Sequence, residues 1–256
     1  IEKSALWFTL VFAVFPARWL IVRSIGSPEP LFITAILGCF YFFLKEKFWL
    51  AGLIGALAMV TKSPGILLFS ALFLAIFGPR IQDFFINPIK TSFTLIPKLI
   101  PLLLIPATAL SVFLLYYIQF GDFLAYFHSG DNIHLLFPPF QVFNASQTWV
   151  GSFWLEEIIW IYLFGFLGIF QLIKKHYYYF AWFVGIFGIS TLFVSHRDIA
   201  RYILPVVPFL LVAFNDIIDT KMFRWVLLFL LLPIYLFSLN FIIGNVTPVA
   251  DWTPLL

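Results

Sequence analysis

Long apolar runs, separated by short polar or Pro- and Gly-containing breaks, set the pattern of this chain. They lie at about 4–17, 31–44, 48–61, 64–78, 99–119, 157–173, 177–194, 202–214 and 225–243. Read as helices, these runs predict an all-α, polytopic integral membrane protein with about nine transmembrane helices. Several are shorter than the ~20 residues a perpendicular crossing needs. Joined as one helix, 48–61 and 64–78 would extend ~46 Å at ~1.5 Å per residue, too long for a hydrocarbon core of ~30 Å. Lys62-Ser63-Pro64-Gly65 therefore reads as the tip of a hairpin of two short helices. The chain is expected to form one transmembrane helical domain over 1–256, with 120–156 as a long interfacial loop.

Composition agrees with a bilayer environment. Of the 256 residues 62% are hydrophobic and 11% charged, against about 45–50% and about 25% in a soluble domain. No soluble fold of this size hides so much apolar surface. Soluble enzymes, nucleic-acid-binding modules, disordered proteins and disulfide scaffolds are set aside, and no nucleic-acid partner is expected. The single cysteine, Cys39, excludes an intrachain disulfide and a cysteine metal site.

Charge placement predicts orientation. With the N-terminus cytoplasmic, Lys3, Lys45, Lys47, Arg80, Lys90, Lys98, Lys174, Lys175, Lys221 and Arg224 fall inside, most of the 15 basic residues. Arg18, Arg23, Lys62, Arg197 and Arg201 are left outside, at helix ends rather than in long loops. Charge at membrane depth is costly and marks sites of function, so these residues are read as a shared outer-face site for an anionic ligand. Binding of lipid headgroups or capping of helix C-termini would explain them equally simply.

Four outer-face elements carry the chemistry. The stretch from Phe15-Pro16 to Glu29-Pro30 ends one helix and opens the next, with Ser27 or Pro28 at the start and Glu29 matched to the positive end of the helix dipole. The second is the Lys62 tip, where the lysine could snorkel to the interface. The third is the loop 120–156, with Asp122, His128, Asp131, His134, Glu156 and Glu157 among Phe137, Phe140, Trp149, Phe153 and Trp154. Its aromatics predict an interface-anchored flap, and the spacing His128-x-x-Asp131-x-x-His134 is a poor metal pattern. The fourth is Ser195-His196-Arg197-Asp198-Ile199-Ala200-Arg201-Tyr202. Arg197 and Arg201, four apart, would share a face of a helical turn and suit a phosphate, with Asp198 orienting one of them. Asn144-Ala145-Ser146 and Asn245-Val246-Thr247 match the Asn-x-Ser/Thr pattern, both on outer loops.

Taken together, Phe15-Pro16, Ser27-Pro28-Glu29-Pro30-Leu31-Phe32, Lys45-Glu46-Lys47 and Thr61-Lys62-Ser63-Pro64-Gly65 resemble the membrane-embedded C-type glycosyltransferases that use lipid-linked sugars. His196-Arg197-Asp198-Ile199-Ala200-Arg201-Tyr202-Ile203-Leu204-Pro205 is similar to the His-Lys-Glu-x-Arg-Phe-x-x-Pro signature of their lumenal mannosyltransferase branch, with one extra residue before the arginine and Arg in place of Lys. The resemblance implies transfer of a mannose-like hexose from a polyprenyl-phosphate sugar to a glycan, lipid or protein acceptor. The reaction face would lie outside the cytoplasm, in a plasma, inner or endoplasmic-reticulum membrane. It implies donor-phosphate roles for Arg201, His196, Arg197 and Lys62, a cationic rim of Arg18 and Arg23, and an acceptor- or metal-side role for Glu29. A divalent metal, Mg or Mn, would be an alternative stabiliser of the leaving phosphate. The acidic pair that such enzymes carry after their first helix is missing from this sequence, so that helix and the general base are expected upstream of Ile1. The competing readings are a transporter or flippase for an anionic lipid or polymer, and a non-catalytic polytopic subunit. Helix interiors nearly free of charge weigh against a transporter.

Overall fold

The computed structural model describes residues 5–128, 135–151 and 155–245. Lys3, Asp131, His134, Phe153, Trp154, and Val246 and Thr247 of the second Asn-x-Ser/Thr match lie outside the described residues. The architecture is all-α. In chain order the helices are α1 (Ala5–Val14), α2 (Ala17–Ser24), α3 (Glu29–Leu44), α4 (Phe48–Thr61), α5 (Ile66–Phe77), α6 (Ile81–Ile86), α7 (Pro88–Leu102), α8 (Leu104–Phe120), α9 (Ala125–His128), α10 (Glu156–Lys174), α11 (Tyr178–Thr191), α12 (Ile199–Tyr202), α13 (Val207–Ala213), α14 (Asn215–Ile218) and α15 (Lys221–Asn245). Among the described residues the only β-type pairing is an isolated bridge between Leu135 and Val194.

All nine apolar runs fall on helices, but fewer of them are full-length spans than expected. Ser63–Ile86, Glu156–Lys174 and Lys221–Gly244 are long and apolar enough to cross a bilayer, and two bent pairs, α1 with α2 and α7 with α8, raise the number to five. The other four, Glu29–Leu44, Phe48–Thr61, Tyr178–Thr191 and Ile199–Ala213, are shorter apolar helices. Their length is the reason: 14 residues, as in α4, rise only about 21 Å. A second difference lies at the start. The run expected to be one helix over 4–17 stops at Val14, and a new helix, α2, leaves at 75° after Pro16. Pro16 cannot donate to the helical ladder and biases Phe15 away from helical geometry.

The chain divides into two compact units, 1–27 with 215–256 and 28–214. In the first, α2 packs against α15 and α1 against α2. Trp7 Nε1 donates to the Ile218 carbonyl at 2.8 Å, and Phe12 stacks on Trp19 with ring centroids 4.7 Å apart. Along α15, a helix long and apolar enough to cross a bilayer, Trp225 and Phe229 are exposed.

In the second unit, α3 packs on α4, α4 on α7 and α8, α5 on α11, and α10 on α11 and α13. Small residues let these helices approach closely. A Cβ on Gly52 would sit 2.0 Å from the Pro101 carbonyl oxygen, and one on Gly55 would sit 2.5 Å from Ile105. The centre is aromatic: Phe40 meets Phe180, Phe183 and Phe209 edge-on at 5.0–5.5 Å, a geometry that aligns ring edges with ring faces. A smaller core of Val142, Leu155, Ile158, Val194 and Ile199, with Trp149 and Tyr202 against it, ties the 135–151 segment to α10 and α12.

Candidate functional site

The connections of α3, α4 and α12 bring one carboxylate and two cations together. The Lys45-Glu46-Lys47 turn reverses the chain between α3 and α4, so the first residue of α3 and the residue after α4 share an end. There the chain turns at Ser63–Gly65, a single 3-10 turn closed by the Gly65 N–H donating to the Lys62 carbonyl at 2.9 Å. Gly65 is required by space: a Cβ would stand 2.6 Å from the Met59 backbone. The hairpin tip expected at Lys62-Ser63-Pro64-Gly65 is this turn. Arg201 enters from α12, whose first turn is held by the Asp198 carbonyl accepting the Arg201 N–H at 3.0 Å.

Glu29 is the focus. Its side chain is only 1% exposed, and its Oε1 accepts from Lys62 Nζ at 2.8 Å and from Arg201 Nε at 2.7 Å. A buried carboxylate is tolerated when charge and hydrogen bonds compensate its lost hydration, and two cations on one oxygen supply that. Expected as the first-turn acid of a helix, Glu29 is also the hub of an ion cluster drawn from three separate helix ends. Ser27 does not open α3: its hydroxyl donates back to the Val22 carbonyl at 2.6 Å, and Pro28 precedes the helix without a side-chain cap.

Lys62 does not merely snorkel. It is partly buried, bound to Glu29, with its ammonium 5.8 Å from the Tyr202 ring centroid. An ammonium carries three donors and a guanidinium five. Each uses one on Glu29, which leaves Lys62 and Arg201 with donors for a further anionic group. Ser63 Oγ and Tyr126 Oη lie 3.0 Å apart, joining α9 to the tip.

His196 sits between two rings, with its centroid 6.2 Å from Trp149 and 5.4 Å from Tyr202. Its Nδ1 accepts the Asp198 N–H at 3.0 Å, so the neutral ring carries its proton on Nε2. Burial pushes the His196 pKa below its ordinary value; Asp198 opposes the shift, and Arg197 and Arg201 add to it. Trp149 is held in place by its Nε1 donating to the Val142 carbonyl at 3.0 Å.

The expectation that Arg197 and Arg201 share a helical face is not met. Arg197 lies in the bend before α12 and is exposed, whereas Arg201 is on α12 and turned to Glu29. Asp198 acts through its backbone on His196 and on the first turn of α12, and its charge reaches Arg201, His196 and Tyr202. Arg18 and Arg23 belong to the other unit. There the Arg18 guanidinium lies 3.9 Å from the Phe241 ring centroid, and Arg23 is exposed at the end of α2.

Other charged groups in the 120–156 loop form local structure. Asp122 accepts the Leu124 N–H at 2.9 Å and pairs with His128 at 2.7 Å; this hydrogen bond to His128 is the main cause that lowers the Asp122 pKa. Glu156 accepts from Trp160 Nε1 at 3.3 Å. Among the described residues no three His, Cys, Asp or Glu side chains converge as a metal site. Glu29 is paired with two cations, so this cluster, taken among the described residues, does not itself form a site for Mg or Mn.

Sequence reasoning found Glu29, Lys62 and Arg201 but not that both cations pair with Glu29; it also found His196, which lies against Tyr202. It missed Tyr202, whose signal was adjacency to Arg201, and Ser63, within the tip itself. Tyr126 carried no signal beyond being a tyrosine in the long loop. Compared with protein-family models, curated proteins and solved structures, the chain matches none.

Proposed function

We propose that this chain is part of a membrane-embedded C-type glycosyltransferase. The enzyme would transfer a mannose-like hexose from a polyprenyl-phosphate sugar to an acceptor on the non-cytoplasmic face. The observation that carries the reading is the Glu29–Lys62–Arg201 cluster: two cations held at the ends of apolar helices by one buried carboxylate, each with donors to spare. An isoprenoid phosphate has the complementary form, with a tail that dissolves among helices and a phosphate that needs charged donors at their ends. In this reading the four shorter apolar helices also lie within the bilayer, making nine membrane segments. The exposed Lys45–Lys47 and Lys174 turns mark the cytoplasmic side.

In the reaction, an acceptor hydroxyl attacks the anomeric carbon as the carbon–oxygen bond to phosphate breaks, and the electron pair leaves with the phosphate. Arg201 and Lys62 meet the charge that develops there. His196, neutral with its proton on Nε2, is a donor to the same group. Glu29 is a positioning residue, because its Oε1 holds both Lys62 and Arg201. The acceptor hydroxyl's proton goes to a general base, a role this reading gives to none of the residues in the Glu29 cluster.

Reconstituted full-length protein supplied with polyprenyl-phosphate mannose tests this. Arg201→Ala should abolish transfer. Arg201→Lys, which can still pair with Glu29 but lacks the planar guanidinium, should keep the thermal unfolding midpoint and lose transfer by about tenfold or more. Unchanged transfer in both variants would refute the assignment.

A further inference from the structure

Far along the chain from the Glu29 cluster, helices α6 and α7 carry an amphipathic surface with no role in the proposed transfer. The expected span at 99–119 is longer than the apolar run: α7 begins at Pro88, and α7 and α8 meet at a 40° bend. Pro97 and Pro101 lie inside α7, and Pro106 follows in α8, each removing a helical hydrogen bond, which accounts for the bend. Residues 88–120 rise about 50 Å at ~1.5 Å per residue, some 20 Å more than a hydrocarbon core of ~30 Å accommodates. The excess is the N-terminal part of α7.

That part is built to lie in an interface. Ile89 and Phe93 are 74% and 75% exposed, and Ile96, Ile100 and Leu103 continue the same exposed stripe at spacings of three and four. Thr91, Leu95 and Leu102 point the other way and are buried, in keeping with the packing of α7 on α4 and α5. The cations flank the stripe. Arg80 is exposed and its Nη1 donates to Thr94 Oγ1 at 3.2 Å; Lys90 is exposed one turn earlier; Lys98 is half-buried with its ammonium 5.6 Å from the Phe48 ring centroid. Asp83 is the only acidic residue between Gly78 and Leu103. An open, mostly apolar groove is lined by Asn87, Pro88, Ile89, Lys90, Phe93 and Thr94.

We infer that this surface docks on the bilayer leaflet by binding an anionic phospholipid. Ile89 and Phe93 enter the boundary between headgroups and acyl chains, and Arg80, Lys90 and Lys98 hold the phosphate. Basic groups beside an exposed apolar stripe favour anionic over zwitterionic lipid, because each cation adds attraction to the phosphate while the stripe supplies a lipid-independent anchor. The same geometry gives α7 a fixed depth and orients the helices packed on it.

Two measurements on the full chain in vesicles test the inference. The only native cysteine, Cys39, is buried, so a nitroxide on Phe93→Cys or Lys90→Cys reports from its own position. The Phe93 label should be accessible to oxygen and shielded from an aqueous nickel chelate, and the Lys90 label accessible to the chelate. A Phe93 label open to the aqueous chelate, or shielded from both reagents as under a second protein copy, would overturn the proposal. In the second arm, spin-labelled phosphatidylglycerol is compared with phosphatidylcholine for the share immobilised by the protein. The triple variant Arg80→Gln, Lys90→Gln, Lys98→Gln should lower the preference for phosphatidylglycerol by about fivefold per charge removed. Unchanged selectivity in that variant would overturn it.

Discussion

At the N-terminal end of α3, Glu29 is buried and shares one oxygen with Lys62 and Arg201. At its C-terminal end, about 24 Å away by helix rise, Lys45, Glu46 and Lys47 stand exposed. Both ends carry carboxylate and ammonium groups in a chain that is 11% charged. At the exposed end the charges remain solvated. At the buried end they have given up hydration, so each depends on the others, and removing one leaves an uncompensated charge. The difference teaches that scarcity of charge marks candidate sites less sharply than burial and mutual pairing do.

The largest expected effect comes from breaking the buried end. Glu29→Ala leaves Lys62 and Arg201 facing each other without their shared acceptor, and unfolding in detergent should show a loss of about 3–5 kcal/mol. A loss no greater than that of an exposed substitution would mean that the cluster is solvated like the lysine turn.

Much of this contrast was legible from sequence, and the illegible part has physical causes. Apolar runs located the longer helices, whereas the short α2, α6, α9 and α14 fall largely outside them. Helix lengths were less legible: α7 continues eleven residues before Leu99, where Lys90, Thr91, Ser92, Thr94 and Lys98 interrupt the apolar positions, so a hydropathy run ends before the helix does. The break at Phe15-Pro16 was readable as an end, but not as the start of α2, since a proline serves both. At the site, the residue types at Glu29, Lys62 and Arg201 announced themselves, while their partnership did not. Glu29 and Arg201 are 172 positions apart, and no local periodicity carries such a pairing. Arg197 shows the converse, a four-residue spacing that implies a shared face only if the helix begins early enough, whereas α12 begins at Ile199.

A smaller, pH-dependent effect should sharpen the contrast. Burial holds the folded-state pKa of His196 below the unfolded value, so the folded state binds the proton more weakly than the unfolded chain. The stability His196 contributes is complete above the ordinary histidine value of about 6.5 and is lost as pH falls through it toward the folded value. Unfolding midpoints measured from pH 8 to pH 5 should therefore fall, and His196→Asn, whose Oδ1 can replace Nδ1 as acceptor for the Asp198 N–H, should flatten that fall. An equal slope in both proteins would place the titration elsewhere.

The smallest effect belongs to the exposed end. Lys45→Gln with Lys47→Gln should change unfolding stability by about 0.5 kcal/mol or less, because neither ammonium is desolvated. A larger loss would erase the distinction between the two ends of α3.

The most direct measurement is the binding of polyprenyl phosphate to the full-length chain embedded in a bilayer, compared among wild type, Arg201→Lys and the Lys45→Gln, Lys47→Gln pair. If the Glu29 cluster presents Arg201 to a lipid phosphate, Arg201→Lys weakens binding by about tenfold, or ~1.4 kcal/mol, and the lysine-turn variant binds as wild type does. Equal affinity in all three proteins, or a loss confined to the lysine-turn variant, would contradict it.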